Sequence, residues 1–169
     1  PANGGLGLAG ARIYGQGFLL TPDEREALIR SDPRNAARIS PYLGGEEINT
    51  DPAQGFARHV INFGQRTLGE AERWPDLLEI VRARVKPERD RNNRALYRQK
   101  WWQFGEPRPG LNAALAGLRR CITTSIHSKH LIFALQPVDR VFSHALVVVA
   151  LEAWTAFATL QSRVHAVWA

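Results

Sequence analysis

Apolar residues recur along this chain in two rhythms, and neither is sustained for long. Leu77, Leu78, Val81 and Val85 keep the three-and-four spacing that gathers side chains on one stripe of a helix, and Pro75 stands where a helix tolerates proline. A second helix start lies at Thr21-Pro22-Asp23-Glu24. Thr21 can cap, Pro22 takes the first turn, Glu24 completes a capping box, and the helix should end near Ser31, before Pro33. Lys86 to Phe104 opens with Pro87 and contains no further Pro or Gly, which predicts one helix. On it Arg91, Arg94 and Arg98 share a stripe, while Tyr97, Trp101 and Phe104 fall on the neighbouring one. Leu111, Leu115 and Leu118 predict a short helix. A final helix from about Glu152 to Trp168 would bury Trp154, Phe157, Leu160, Val164 and Trp168.

The other rhythm is alternation. Arg58 to Phe63, Arg119 to Ile126 and His130 to Leu135 read as strands, and Ile13 to Leu20 as a strand loosened by Gly15 and Gly17. Val141 to Leu151, with its Leu-Val-Val-Val centre, reads as a fully buried strand. Asn3 to Gly10, Ser40 to Pro52 and Gly105 to Gly110 are rich in Gly and Pro and read as loops, with Arg108 at the tip of the last. Helices and strands follow one another without regular alternation, and no internal repeat is present. The expected fold is α+β: mixed helices and a mostly antiparallel sheet in a single domain over residues 1–169.

Composition narrows the class. A hydrophobic fraction of 44% with 22% charged residues is that of a globular protein with a sizeable core. The longest apolar run, Ala145 to Leu151, is far too short to span a bilayer, and no leader pattern is visible. A single cysteine, Cys121, excludes an internal disulfide and fits a reducing cytoplasm. The chain starts at Pro1 and contains no Met, which reads as a fragment of a longer polypeptide. The net charge of +6 is unevenly placed: residues 1–85 carry −1 and residues 86–169 carry +7. A basic half on a neutral half points to a polyanion, most often nucleic acid.

Catalytic patterns are missing from the sequence. No Asn- or Asp-Pro-Pro-aromatic motif for methyl transfer to an amine occurs, nor nuclease carboxylates ahead of a Glu-x-Lys, nor the G-x-S-x-G turn of a hydrolase. The glycines near the start have neither dinucleotide nor P-loop spacing. Cys121, His127 and His130 lack a fourth ligand at zinc spacing, and Glu46-Glu47 are adjacent residues that point apart on a regular element. No catalytic, cofactor or metal site is assigned.

Two stretches carry binding chemistry. The first is the 86–104 segment, whose six basic and two acidic side chains can meet a phosphate backbone while the rings dock inward; a solvated face of an ordinary amphipathic helix has the same pattern. The second is Thr123 to His130, flanked by Arg119 and Arg120. Between two strands it forms a hairpin tip dense in short donors and acceptors, suited to base edges or to turn chemistry alone.

Six segments then stand together in order: Gly15–Glu24 (GQGFLLTPDE), Pro41–Asn49 (PYLGGEEIN), Val60–Gly64 (VINFG), Val85–Arg89 (VKPER), Tyr97–Phe104 (YRQKWWQF) and Leu160–His165 (LQSRVH) with Trp168. In this order the chain resembles the target-recognition domain of MmeI-like enzymes, large adenine-specific DNA methyltransferases often fused to a restriction nuclease (types IIG and IIL). The resemblance implies a parent that binds S-adenosylmethionine in a separate catalytic domain, so this fragment itself holds no cofactor. It also implies that this domain holds duplex DNA while the target adenine is flipped out, and that the strand-and-loop region before the last helix reads bases. That region corresponds to Arg119 to His130 here, and extends through Asp139-Arg140.

The expectation is therefore a reader of double-stranded DNA that partners its parent's methyltransferase domain and no membrane. Arg91, Arg94, Arg98, Lys100 and Arg108 would contact phosphates. Arg119, Arg120, Thr123, Ser125, His127, Ser128, Lys129 and His130 would form the reading region. Trp101 and Trp102 are expected mainly in the core. Two alternatives stay open: a single-strand binder stacking bases on exposed tryptophans, and a structural module docking on acidic protein partners.

Overall fold

The computed structural model describes residues 6–168. They form two compact units, one from residues 6–11, 43–56 and 108–168 and the other from residues 12–42 and 57–107. In chain order the elements are β1 (Gly7–Ala9), a 3₁₀ turn (Gln16–Phe18), β2 (Leu19–Leu20), α1 (Pro22–Ser31), a second 3₁₀ turn (Pro33–Arg38), β3 (Ile39–Leu43), α2 (Gly45–Thr50), β4 (Arg58–Ile61), α3 (Leu68–Ala71), α4 (Pro75–Arg84), α5 (Lys86–Asp90) and α6 (Ala95–Gln99). There follow α7 (Pro109–Leu115), β5 (Arg120–Ser125), β6 (Phe133–Pro137), β7 (Val141–Phe142), β8 (Leu146–Val149), α8 (Trp154–Leu160) and α9 (Arg163–Trp168). No helix among the described residues is long and apolar enough to cross a membrane.

The first unit is built on an antiparallel sheet in the order β1-β8-β5-β6. Register sets Thr123 opposite Val148 on one side and Ala134 on the other. One face of this sheet packs with α2 and α7 around Leu43, Ile48, Leu111, Leu115, Phe142, Leu146 and Val148. The second unit has β4 between β2 and β3, both antiparallel to it. Its core holds Phe18, Leu20, Val60, Ile61, Phe63, Leu77, Val81 and Val85. The strand pairings described in the two sheets are antiparallel, an isolated parallel bridge joins Ala11 to Ser143, and helices are interspersed, so the fold is α+β as expected.

The helix starts signalled by capping chemistry are present. Thr21 Oγ1 accepts from the Glu24 N–H at 3.2 Å, and the Glu24 carboxylate accepts from the Thr21 N–H at 2.9 Å. Arg84, which donates to that carboxylate at 2.6 Å, and the Thr21 amide hold Glu24 below the usual carboxylate range. The helix at Pro75 buries Leu77, Leu78 and Val81, with Val85 buried at its cap. Trp101 and Trp102 are core residues, stacked edge to face at 5.9 Å.

Longer-range expectations are corrected in several places. The 86–104 helix is two short ones, because Asn92 Oδ1 accepts from the Arg94 N–H at 2.9 Å and closes a local turn that competes with the helix. The 152–168 helix is also divided. Ser162 Oγ accepts from the His165 N–H at 3.2 Å, so a new helix starts there, and Trp154 and Val164 are 60% and 82% exposed rather than buried. The strand expected over 13–20 shrinks to Leu19–Leu20, since Tyr14 and Gly15 adopt positive φ (51° and 105°) and turn the chain. The loop expected over 40–52 contains the end of β3 and the whole of α2, whose start Glu47 caps through the Gly44 N–H at 3.0 Å. Val141–Leu151 is broken by a turn at 143–145 into β7 and β8, and β8 buries one face only. β6 begins at Phe133, which lengthens the preceding loop. In the glycine-rich start, Gly7–Ala9 pairs with β8, while Asn3 to Gly5 lie outside the described residues.

Candidate nucleic-acid interface

The basic segment belongs to the second unit. Arg91 caps α5, Arg94 precedes α6 and Lys100 follows it, and all three are exposed. No hydrogen bond or ion pair engages the side chains of Arg91 or Lys100 among the described residues. Arg94 donates to the Tyr97 hydroxyl at 3.0 Å and lies 5.5 Å from that ring, while Arg98 donates to the Asn92 carbonyl. A surface cavity of about 400 Å³ beside them is lined by Gln65, Tyr97, Lys100 and Gln103. Beneath, the buried Arg89 guanidinium donates to the Ile13 and Tyr14 carbonyls at 2.8 and 3.1 Å and faces the Tyr97 ring at 5.0 Å. Burial pulls its pKa below the ordinary arginine value.

The structure adds two residues to this surface that sequence spacing could not supply. Arg12 exchanges backbone hydrogen bonds with Glu106 at 3.1 and 3.0 Å, which brings it to the far end of the basic segment. Its guanidinium donates to the Tyr14 hydroxyl, and the Tyr14 and Tyr97 rings are 5.0 Å apart. The hydrogen bond from Arg12 holds the Tyr14 phenol below its ordinary range. The bridge links residues 94 positions apart, so no local motif announces it.

The hairpin belongs to the first unit, where its parts divide by role. Thr123 is not at the tip; it lies fully buried inside β5, and its hydroxyl donates to the Ala134 carbonyl at 3.4 Å. Arg120 donates to the Glu152 carbonyl at 2.9 Å and stacks on Trp154 at 4.5 Å, fastening the approach to α8. Arg119 is exposed, and its backbone N–H donates to the Glu152 carboxylate at 3.1 Å. Arg108 is half-buried in a left-handed turn (φ 52°) before α7, with Nε 3.4 Å from the Gly10 carbonyl, so it is not a freely extended tip residue.

The tip proper spans residues 126–132. Ser128 donates to the His130 carbonyl at 2.7 Å and accepts from the His130 N–H at 3.2 Å, closing a local turn. Ser125 donates to the His127 carbonyl at 3.3 Å, and Asn49, from α2, donates to that same carbonyl at 3.0 Å and to Ser125 Oγ at 3.3 Å. The side chains of His127, Lys129 and His130 are exposed and, among the described residues, engaged by nothing. At the other foot, the Phe133 N–H donates to Gln161 Oε1 at 3.0 Å and the Phe133 ring lies 5.7 Å from His165. Cys121 is buried below, its thiol pushed up to about 12 by burial. No group of three or more His, Cys, Asp or Glu that could hold a metal is found among the described residues.

A two-unit α+β fold that presents a braced polar hairpin on one unit and free guanidinium and ammonium groups on the other defines a recognition domain. A family model described as "MmeI, target recognition domain" matches residues 8–169, and the chain belongs to this family. Among solved structures it is similar in fold to the Type IIL restriction-modification enzyme MmeI, solved in complex with DNA, with a TM-score of 0.71 and 16% sequence identity over 96% of this chain. This chain spans 21% of the length of that enzyme. No curated protein matches it.

Proposed function

We propose that this chain reads the target sequence in duplex DNA on behalf of a larger restriction-modification enzyme, with phosphate grip and base reading divided between its two units. The observation that carries the reading is a tip whose His127, Lys129 and His130 are held out by a braced backbone and left without partners among the described residues, in a member of the target recognition family. Imidazole and ammonium donors suit the acceptors of guanine and adenine in the major groove. Arg91 and Lys100, with Arg12, Arg94 and Arg98 beside them, give the second unit its phosphate contacts. The parent would be an adenine-specific methyltransferase working in the cytoplasm. It would bind S-adenosylmethionine in a separate catalytic domain that receives the flipped adenine.

The two tryptophans of the basic segment weigh against a single-strand binder, and the exposed Trp154 already carries the Arg120 guanidinium over its ring at 4.5 Å. Trp101 and Trp102 are 6% and 9% exposed and offer no stacking face. Fluorescence anisotropy with a mixed-sequence duplex at several salt concentrations tests the proposal. The logarithm of affinity should fall linearly with that of salt, by ~0.9 per phosphate neutralised. Failure to bind duplex even near ~50 mM salt, where electrostatic binding is strong, contradicts it.

A further inference from the structure

We infer that Asn49, on a helix remote in sequence from the hairpin, is a positioning residue that sets the shape of the base-reading tip and thereby its sequence preference. The inference rests on the reading of this domain as a duplex-DNA reader. It starts from an assignment the chemistry forces: a carbonyl oxygen can only accept, so the group 3.0 Å from the His127 carbonyl must be the Asn49 amide nitrogen. The Ser125 hydroxyl has one proton, directed to the same carbonyl, which leaves Ser125 Oγ to accept the second Asn49 N–H. Both Asn49 amide protons are thereby committed inside the protein.

That commitment decides the role. Reading adenine with an asparagine needs a free amide proton for the base's acceptor, and Asn49 has none to give. Ser125 likewise has no donor left for a base. The pair therefore fixes the backbone at His127, the first of the three free side chains of the tip. Helix α2 is held close enough for this by Gly45, where a Cβ would stand 2.9 Å from Ser125 Oγ. On the other side of the tip Ser128 closes its own turn. Asn49 thus ties the His127 backbone to α2, next to the Ile126 N–H, which donates to the Ala145 carbonyl at 2.9 Å.

The test compares wild-type chain with Asn49→Ala and Asn49→Asp, using a site selected by the wild type from a randomised duplex pool and a scrambled duplex of equal length. Asn49 is exposed, so each variant should shift the melting temperature by no more than a few degrees. Asn49→Asp keeps the shape, loses the protons and adds a charge that weakens binding to every duplex alike. The ratio of affinities, selected over scrambled, cancels that charge effect. Both variants should lower the ratio by roughly threefold to tenfold, the factor that follows from one or two lost hydrogen bonds. Affinity of Asn49→Ala for the scrambled duplex should not change. An unchanged ratio in both variants overturns the inference, and so does an equal loss of Asn49→Ala affinity for both duplexes. If the wild type itself draws no site from the pool, the failure is that of the duplex-reading function, not of Asn49 alone.

Discussion

Lys129 stands exposed in the middle of the tip with its ammonium engaged by no group among the described residues, flanked by the similarly free His127 and His130. On the proposed reading, a point charge with rotatable donors at that place would contact either a guanine edge or a phosphate, and the two differ in consequence. Lys129→Ala should cost about 1–3 kcal/mol on the preferred site and relax preference at one position, as competition binding against single-base variants would report. A uniform loss over all sequences would make Lys129 a phosphate contact instead. Arg91 and Lys100 are expected to behave in that second way. Each change to Ala should weaken all duplexes alike and reduce the salt slope by about 1. At the same scale Trp101 belongs to the core, edge-on to Trp102 and faced by Arg82 at 5.9 Å. Trp101→Ala should lose about 3–5 kcal/mol in denaturant unfolding, and an unchanged midpoint would contradict its placement.

At the scale of elements, what was legible in the sequence was chemistry acting within four or five residues. The Thr21–Glu24 capping box and the Pro75 start are local and survive folding intact, and β5 forms where the alternation places it, although Cys121, Ile122 and Thr123 are buried in succession. The Asn92 and Ser162 interruptions were missed because an Asn or Ser within a helical stripe competes for backbone hydrogen bonds without disturbing the apolar periodicity. The candidate site divides along the same line. The tip could be located from two alternating runs with polar residues between, but Thr123 inside the barrier of the strand, Arg120 on Trp154 and Asn49 against His127 are fixed by register and tertiary approach. β4 also carries an expectation of its own. Burial, then the nearby Arg25, lowers the pKa of His59. The unfolded chain therefore takes up a proton first on acidification, so stability should fall as pH drops below about 6.5, the ordinary histidine value. His59→Gln should remove that part of the loss while leaving the later one, at carboxylate pH, where Glu24 gives up its bond to Arg84. An identical pH-stability profile for His59→Gln would show that His59 titrates the same way folded and unfolded.

At the scale of the whole molecule, folding redistributes the charge seen along the chain. The basic second half is divided between the units: residues 12–42 and 57–107 hold sixteen basic and eleven acidic side chains, net +5, and the remainder hold six and five, net +1. The unit bearing the hairpin is thus nearly neutral, and on the proposed reading the unit bearing the Arg91–Lys100 surface would supply most of the attraction to a polyanion. Affinity and preference should accordingly respond to different mutations: charge changes on the second unit move the salt dependence, and changes at the tip move the choice of sequence. The measurement that tests this account most directly is selection of binding sites from a randomised duplex pool by the wild-type chain, followed by the same selection with Lys129→Ala. The account expects the wild type to enrich a short defined site and the variant to enrich one relaxed at a single position. A wild-type pool that binds yet stays random after repeated rounds would contradict it, leaving a cationic surface that holds DNA without reading it.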